Sequence, residues 1–313
     1  MSIELTILGS SSATPTLHRF PTSQHLQMLD HHILIDCGEG AQMQLRRYKL
    51  KRSKIKHIFI SHLHADHILG LPGLIFSMNL VDRKDPLHIY APKELFDFID
   101  LTIRLSDTTL RFEIIRHFTQ AQEPEILLEN SLLKVTSFPL YHRVPTTGLL
   151  FEENEKLKGI NVDACNKYLI PFTHFNDLKR GKDFIGTDGK IIFNEMVTHP
   201  ASPKLKYAFC SDTMYDDRVA SAVAGVDLLY HETTFMHDKL ARAIETMHTT
   251  AMQAGEIAKK AQVKKLIIGH FSSRYDNLQP LLDEAKAVFE NTELATEGKK
   301  FVVEENALFA ELS

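Results

Sequence analysis

Ser61-His62-Leu63-His64-Ala65-Asp66-His67 is the stretch on which the reading of this chain turns. It follows Ile55-Lys56-His57-Ile58-Phe59-Ile60, an apolar run with β-branched residues that reads as a buried strand. It precedes Ile68-Leu69-Gly70-Leu71-Pro72-Gly73-Leu74, a turn that feeds a helix. A strand therefore ends in a loop that presents three imidazoles and one carboxylate within six residues. On extended chain His62 and His64 point to the same side. Asp66 and His67 lie past the strand end, where the chain turns and aims them at a second point. Two nearby metal ions are the natural reason to build such a loop. Imidazole nitrogen and carboxylate oxygen without thiolate suit zinc in a hydrolytic role, with Mn2+ or Fe2+ as alternatives.

Working outward, the same arrangement recurs. His142, Asp212, His231 and His270 each stand just after an apolar run that reads as a strand: 132–140, 207–210, 227–230 and 265–269. Side chains on neighbouring strand ends converge on one rim of a sheet, which is how α/β proteins build sites. This assigns His62, His64 and His142 to one ion and Asp66, His67 and His270 to the other. Asp212, with two oxygens and a negative charge, is the expected bridge. Two divalent ions ~3.5–4 Å apart polarise a phosphoryl oxygen and hold a bridging hydroxide that attacks it. Asp66 is also placed to accept a proton from the attacking water. His248, in Met247-His248-Thr249-Thr250, is the expected proton donor to the leaving oxygen, with Glu232 orienting and charging it.

The rest of the chain bounds the possibilities. At 313 residues, 43% of them hydrophobic, it fits one α/β domain around a single core. No apolar run approaches the ~20 residues that span a membrane. The N-terminus enters a strand pattern at once, without a secretory leader. Cys37, Cys165 and Cys210 are few, odd in number and far apart, which points to a reducing compartment, the cytoplasm. A net charge of −4 excludes a protein that binds nucleic acid simply by being basic, and no DNA partner is expected. Between Arg46 and Lys56, however, Arg46, Arg47, Lys49, Lys51, Arg52, Lys54 and Lys56 come without an acid. The stretch precedes the metal strand, so its charge is expected near the rim of the site, where it favours an anionic substrate.

Residues 152–206 break the pattern. They are rich in Lys, Asp, Asn and Gly, with weak periodicity and a basic knot at Lys179-Arg180-Gly181-Lys182. They read as an insertion projecting from the core rather than a second domain. Helices are expected over 41–48, 74–80, 93–105, 219–226, 251–261 and 278–289, with Thr249 or Thr250 capping the fifth. A last strand over 300–303 has a partner expected at 307–310.

At this point the motifs resemble a known family. Ser61 to His67 followed by Gly70-Leu71-Pro72-Gly73-Leu74 is similar to the metallo-β-lactamase superfamily. More narrowly the chain resembles the short form of ribonuclease Z, the tRNA 3′-processing endonucleases. The matching elements follow in order: His142 to Gly148, Ser211-Asp212-Thr213, His231-Glu232-Thr233-Thr234-Phe235, His248-Thr249-Thr250 and His270-Phe271-Ser272-Ser273-Arg274-Tyr275. The resemblance covers nearly the whole chain. It implies a four-layer αββα fold, two Zn2+ per subunit, a homodimer, and cleavage of precursor tRNA after the discriminator nucleotide to leave a 3′-hydroxyl. It also implies that the insertion is a flexible arm that grips the tRNA elbow. Candidate RNA contacts are Arg19, Arg46, Arg47, Lys51, Arg52 and Arg274 on the body, and Lys179, Arg180 and Lys182 on the arm, giving salt-dependent affinity without sequence readout. Leu17 stands where the family commonly has a Lys, and Ile170-Pro171-Phe172 replaces its usual Gly-Pro.

Two rival readings follow from the same residues. A binuclear hydrolase of small phosphodiesters or sulfate esters would share the metal loop, but the insertion and the basic stretch argue against it. A non-catalytic RNA-binding module should have lost ligands, and all seven candidates are present.

Overall fold

The computed structural model describes residues 2–304. The strand partner expected at 307–310 lies outside the described residues; Lys300–Glu304 pairs with the first strand of the chain. Strands β1 (Ser2–Gly9), β2 (Ser23–Met28), β3 (His31–Cys37), β4 (Ile55–Phe59), β5 (Leu87–Ala91) and β6 (Ile114–Phe118) line up in sequence order, with Lys300–Glu304 outside β1. A second sheet holds β7 (Glu125–Glu129), β8 (Leu133–Leu140) and β9 (Thr146–Glu153), then Lys206–Cys210, Leu228–Glu232, Lys265–Gly269 and Thr292–Leu294.

Alternation along the strands sorts their side chains into layers. Between the sheets lie Leu5, Ile35, Phe59, Tyr90, Phe151, Phe209 and Tyr230, with Phe59 stacked on Tyr90 at 4.3 Å. Residues of opposite parity, such as Leu34, Ile58 and Ile89, pack against α1 (Ala41–Arg47), α3 (Leu71–Leu80) and α4 (Glu94–Leu105). Ala208, Leu229 and Ile268 do the same on the far side, under helices Asp217–Ala222, Ala251–Lys260 and Gln279–Lys286. The result is helix, sheet, sheet, helix. Thr250, rather than Thr249, caps the helix Ala251–Lys260, with Gln253 completing a capping box.

Strands β3 to β6 run parallel, and so do Lys206–Cys210, Leu228–Glu232 and Lys265–Gly269. Parallel strands deliver their C-terminal ends to one edge. The donors expected at strand ends are brought together for that reason. After β4 the metal loop enters α2 (Ala65–Ile68), and Gly70 closes it by donating its N–H to Cys37 O at 2.8 Å. A Cβ at Gly70 would stand 2.0 Å from Gly38 O, so this approach of two backbones requires glycine.

Residues Glu153–Lys204 form a compact unit of their own. Cys165, Ile170, Leu178, Ile192 and Val197 make its small core. Two-residue ribbons pair Gly159–Ile160 with Thr198–His199 and Phe184–Ile185 with Ile191–Ile192. Asn194 ties its turns together, donating from Nδ2 to Leu178 O at 2.6 Å and to Lys182 O at 3.0 Å. Among the described residues no helix is long and apolar enough to cross a membrane.

Candidate metal centre

Residues outside the metal loop position part of it. Asp36, at the end of β3 and fully buried, accepts from Ser61 N at 2.8 Å, from Ser61 Oγ at 2.8 Å and from His67 Nδ1 at 2.7 Å. With Nδ1 so engaged, His67 turns Nε2 inward. His142 Nδ1 is likewise held on Met247 O at 2.9 Å. His270 takes a left-handed backbone, φ 60°, at the end of its strand. Such a conformation costs about 1–3 kcal/mol in a residue with a Cβ and concentrates at functional sites.

Two groups of donors result. In the first, His64 Nδ1 lies 3.0 Å from His62 Nε2 and 3.3 Å from His142 Nε2. Asp212 Oδ2 is 3.6 Å from His62 Nε2 and 3.8 Å from His142 Nε2. In the second, Asp66 Oδ2 is 3.5 Å from His67 Nε2 and 3.4 Å from His270 Nε2. Asp212 Oδ1 is 3.5 Å from His67 Nε2 and 3.1 Å from His270 Nε2. One oxygen of Asp212 thus faces each group. Nitrogens bound to one tetrahedral ion stand about 3.3 Å apart, given bonds of ~2.0–2.1 Å, so the spacings suit metal ligation.

The buried atoms fit a cation as well. Among the described residues, His67 Nε2 and Asp212 Oδ1 are buried without a hydrogen-bond partner. Burial opposes charge on His67, but Asp66, Asp212 and Asp36 outweigh it and hold the imidazole well above its usual range. A site that attracts a proton so strongly is one that a divalent ion can occupy in its place.

Beside these groups stands a histidine–carboxylate pair. His248 Nδ1 is 2.9 Å from Glu232 Oε1. Burial opposes its charge, yet the Glu232 carboxylate pushes its pKa up to about 9. Glu232 is itself buried and accepts from Thr213 N, Thr249 N, Thr234 N and Thr234 Oγ1. His248 can also be grouped with Asp212 and His270 as a possible ligand set. Because Nδ1 is taken by Glu232, Nε2 is the atom left for chemistry. His231 points elsewhere: its Nδ1 lies 2.8 Å from Glu232 O, and it joins none of the groups.

Four contributors are hard to see in the sequence. Asp36, Ser61 and Thr234 hold donors in place, and Ala13, at φ 56°, donates its N–H to Asp66 Oδ2 at 2.7 Å. Asp36 carries a usable signal, since it too is a carboxylate ending an apolar strand. A backbone amide such as that of Ala13 carries none.

The expected RNA-contacting cations are dispersed. Arg19 donates to Ser272 O at 3.3 Å, while Arg274 donates to Ser272 Oγ at 3.0 Å and lies over the Phe235 ring at 4.8 Å. Both therefore meet two residues beyond His270. The basic stretch is set further back than expected. Because β3 and β4 are parallel, their connection must return to the start of β4, so Lys51 and Arg52 sit a strand's length from the metal loop. Arg46, Lys49, Lys51 and Arg52 line a cleft of about 470 Å³ there. Arg47 turns back, 5.7 Å over the Phe20 ring. In the separate unit, Lys179 and Arg180 line a cleft of about 500 Å³ with Lys156, Lys158 and Lys204, while Lys182 pairs with Asp177 at 3.0 Å.

Comparison with known proteins bears on this geometry. A ribonuclease Z of Bacteroides thetaiotaomicron is 45% identical over 294 residues, 94% of this chain and 93% of its own. The chain belongs to the ribonuclease Z family. Human tRNase Z, short form (ELAC1), superposes with a TM-score of 0.69 at 26% identity, covering 96% of this chain and 98% of that one. The metallo-β-lactamase fold protein YhfI of Bacillus subtilis gives a TM-score of 0.69 at 20% identity, with 96% and 99% covered. The layered architecture is therefore the metallo-β-lactamase fold. A family model described as anti-Pycsar protein Apyc1 also matches, over residues 3–157. That match takes in the metal loop and His142 and ends before Asp212, His248 and His270.

Proposed function

We propose that this member of the ribonuclease Z family is a zinc-dependent endoribonuclease that removes the 3′ trailer from precursor tRNA. It cuts after the discriminator nucleotide and leaves a 3′-hydroxyl on the tRNA. The observation that supports it most directly is Asp212, whose two oxygens face two separate donor groups, with the Glu232–His248 pair beside them. Held by His62, His64 and His142 and by Asp66, His67 and His270, with Asp212 facing both groups, two divalent ions would polarise a phosphoryl oxygen and make water nucleophilic at neutral pH.

The chain's own residues supply the rest. Asp66 keeps Oδ2 on the second group, fixed by the Ala13 N–H, and offers its other oxygen to the proton of the attacking water. His248, charged through Glu232, gives a proton from Nε2 to the departing 3′-oxygen of the discriminator. Arg19 and Arg274 supply cations next to the site, and the two basic clefts supply phosphate contacts without base readout. The Glu153–Lys204 unit serves as the arm that binds tRNA. The relatives named ribonuclease Z and the human tRNase Z structure favour RNA over a small ester. A homodimer acting in the cytoplasm completes the reading.

The test is cleavage of a precursor tRNA, mapped to the nucleotide, beside a simple aryl phosphodiester, for wild type and Asp66→Ala. A cut after the discriminator that is lost in the variant is the expected result. Hydrolysis of the aryl ester with intact tRNA would make this a small-molecule phosphodiesterase.

A further inference from the structure

The proposed centre accounts for fewer than half of the seventeen histidines. Four others form a row on the first sheet: His31 on β3, His57 on β4, His88 on β5 and His117 on β6. Ring centroids along the row are 5.8, 5.0 and 5.2 Å apart. His57 sits near the start of β4, and the metal loop follows that strand's other end, so the row and the centre are separate places.

Within the row one pair stands out. His88 Nδ1 and His117 Nε2 are 3.0 Å apart. Two imidazole nitrogens at that distance share either a proton or a metal ion. The His62–His64 spacing in the centre is the same, 3.0 Å. The rings are held for either use: His117 stacks on Tyr90 at 4.1 Å with planes 9° apart, and His88 lies between His57 and His117. Side chains carried on adjacent strands and pinned by stacking lose little freedom when they take up an ion. Both are partly exposed, so an ion can reach them and water can complete its coordination. Burial, with the Arg83 charge also facing His88, favours neutral imidazole, the ligating form; Glu113 pulls His88 the other way. His57 is the next ring inward, its Nδ1 3.5 Å from Tyr90 Oη.

We propose that His88 and His117 form an accessory site for a borderline divalent ion, Zn2+ or more tightly Cu2+, distinct from the hydrolytic centre. Two nitrogen donors with open positions make a labile site that loads only when free metal is plentiful, and the order of affinities among first-row metals puts Cu2+ ahead of Zn2+.

The experiment uses the holoprotein, with its tightly held ions in place, dialysed against increasing free Zn2+ and separately Cu2+. Ions per chain are counted for wild type, His88→Gln and His117→Gln. Wild type should take up one ion more than either variant, and its Cu2+ spectrum should show nitrogen coupling that both variants lose. Circular dichroism and cleavage of precursor tRNA confirm that the variants are folded. Equal uptake by all three proteins would overturn the proposal and leave the pair as an N–H···N hydrogen bond.

Discussion

Replacing Glu232 by Gln tests the logic of the proton-carrying pair. The carboxylate receives five contacts: His248 Nδ1, Thr213 N and Thr249 N at Oε1, and Thr234 N and Thr234 Oγ1 at Oε2, between 2.8 and 3.2 Å. An amide has one oxygen. Placed at Oε1, it leaves its NH2 against the Thr234 N–H; placed at Oε2, it sets NH2 against two backbone donors and the imidazole. The better choice still buries one unpaired donor, costing about 1–3 kcal/mol, and weakens three charge-assisted bonds to neutral ones. A loss of about 3 kcal/mol in stability is expected from urea denaturation. Activity should fall as well. With the carboxylate charge gone, His248 drops from about 9 toward or below the ordinary imidazole value. At pH 8 its protonated fraction then falls about thirtyfold, and cleavage should fall with it, least at low pH. Single-turnover cleavage of precursor tRNA across pH measures this. A variant within about 0.5 kcal/mol of wild type, with an unchanged pH profile, would refute the reasoning.

Three further outcomes follow from other contacts. Asp36→Asn should weaken metal binding about 10–100-fold, read by competition with a chromophoric chelator, because one amide oxygen cannot accept from both Ser61 N and His67 Nδ1 and carries no charge to hold the imidazole. Gly70→Ala should cost about 3 kcal/mol or more, read by thermal unfolding, since its Cβ would lie 2.0 Å from Gly38 O. Glu297 accepts from Phe20 N at 2.6 Å and Gln44 Nε2 at 2.9 Å, yet burial lifts its carboxyl to about 7. A raised folded-state value adds stability below the unfolded pKa that is lost as pH rises through 7. Allowing for solvent screening, wild type should lose about 2 kcal/mol between pH 5 and 8 that Glu297→Gln does not lose.

What could be read beforehand depended on how local the signal was. His62, His64, Asp66 and His67 share one loop, and Asp212 and His270 each end an apolar run, so period and position exposed them. Asp36 ends a strand in the same way, but Gly38 and Gly40 behind it make the stretch read as a turn into the helix that follows. β7, Glu-Ile-Leu-Leu-Glu, is only half-buried at a sheet edge and alternates too weakly to be recognised. The unit at 153–204 gathers its core from five residues spread between Cys165 and Val197, which leaves no period to detect. The basic stretch lies away from the metal loop because adjacency in sequence is not adjacency in space. A parallel crossover separates the two by the length of a strand.

The donors are drawn from both ends of the gene product. His62 to His67 follow a strand of the first sheet and His142 follows β8 of the second, whereas Asp212, Glu232, His248 and His270 arrive late, on or just after later elements of the second half. During synthesis, then, the growing polypeptide passes through most of its length without a complete set of ligands. A ribosome that stalls or a message that is cut short releases a fragment lacking the shared carboxylate or the last imidazole. On the proposed mechanism such a fragment is disarmed. An enzyme proposed to cut the RNA on which translation itself depends acquires its blade only when the chain is nearly finished.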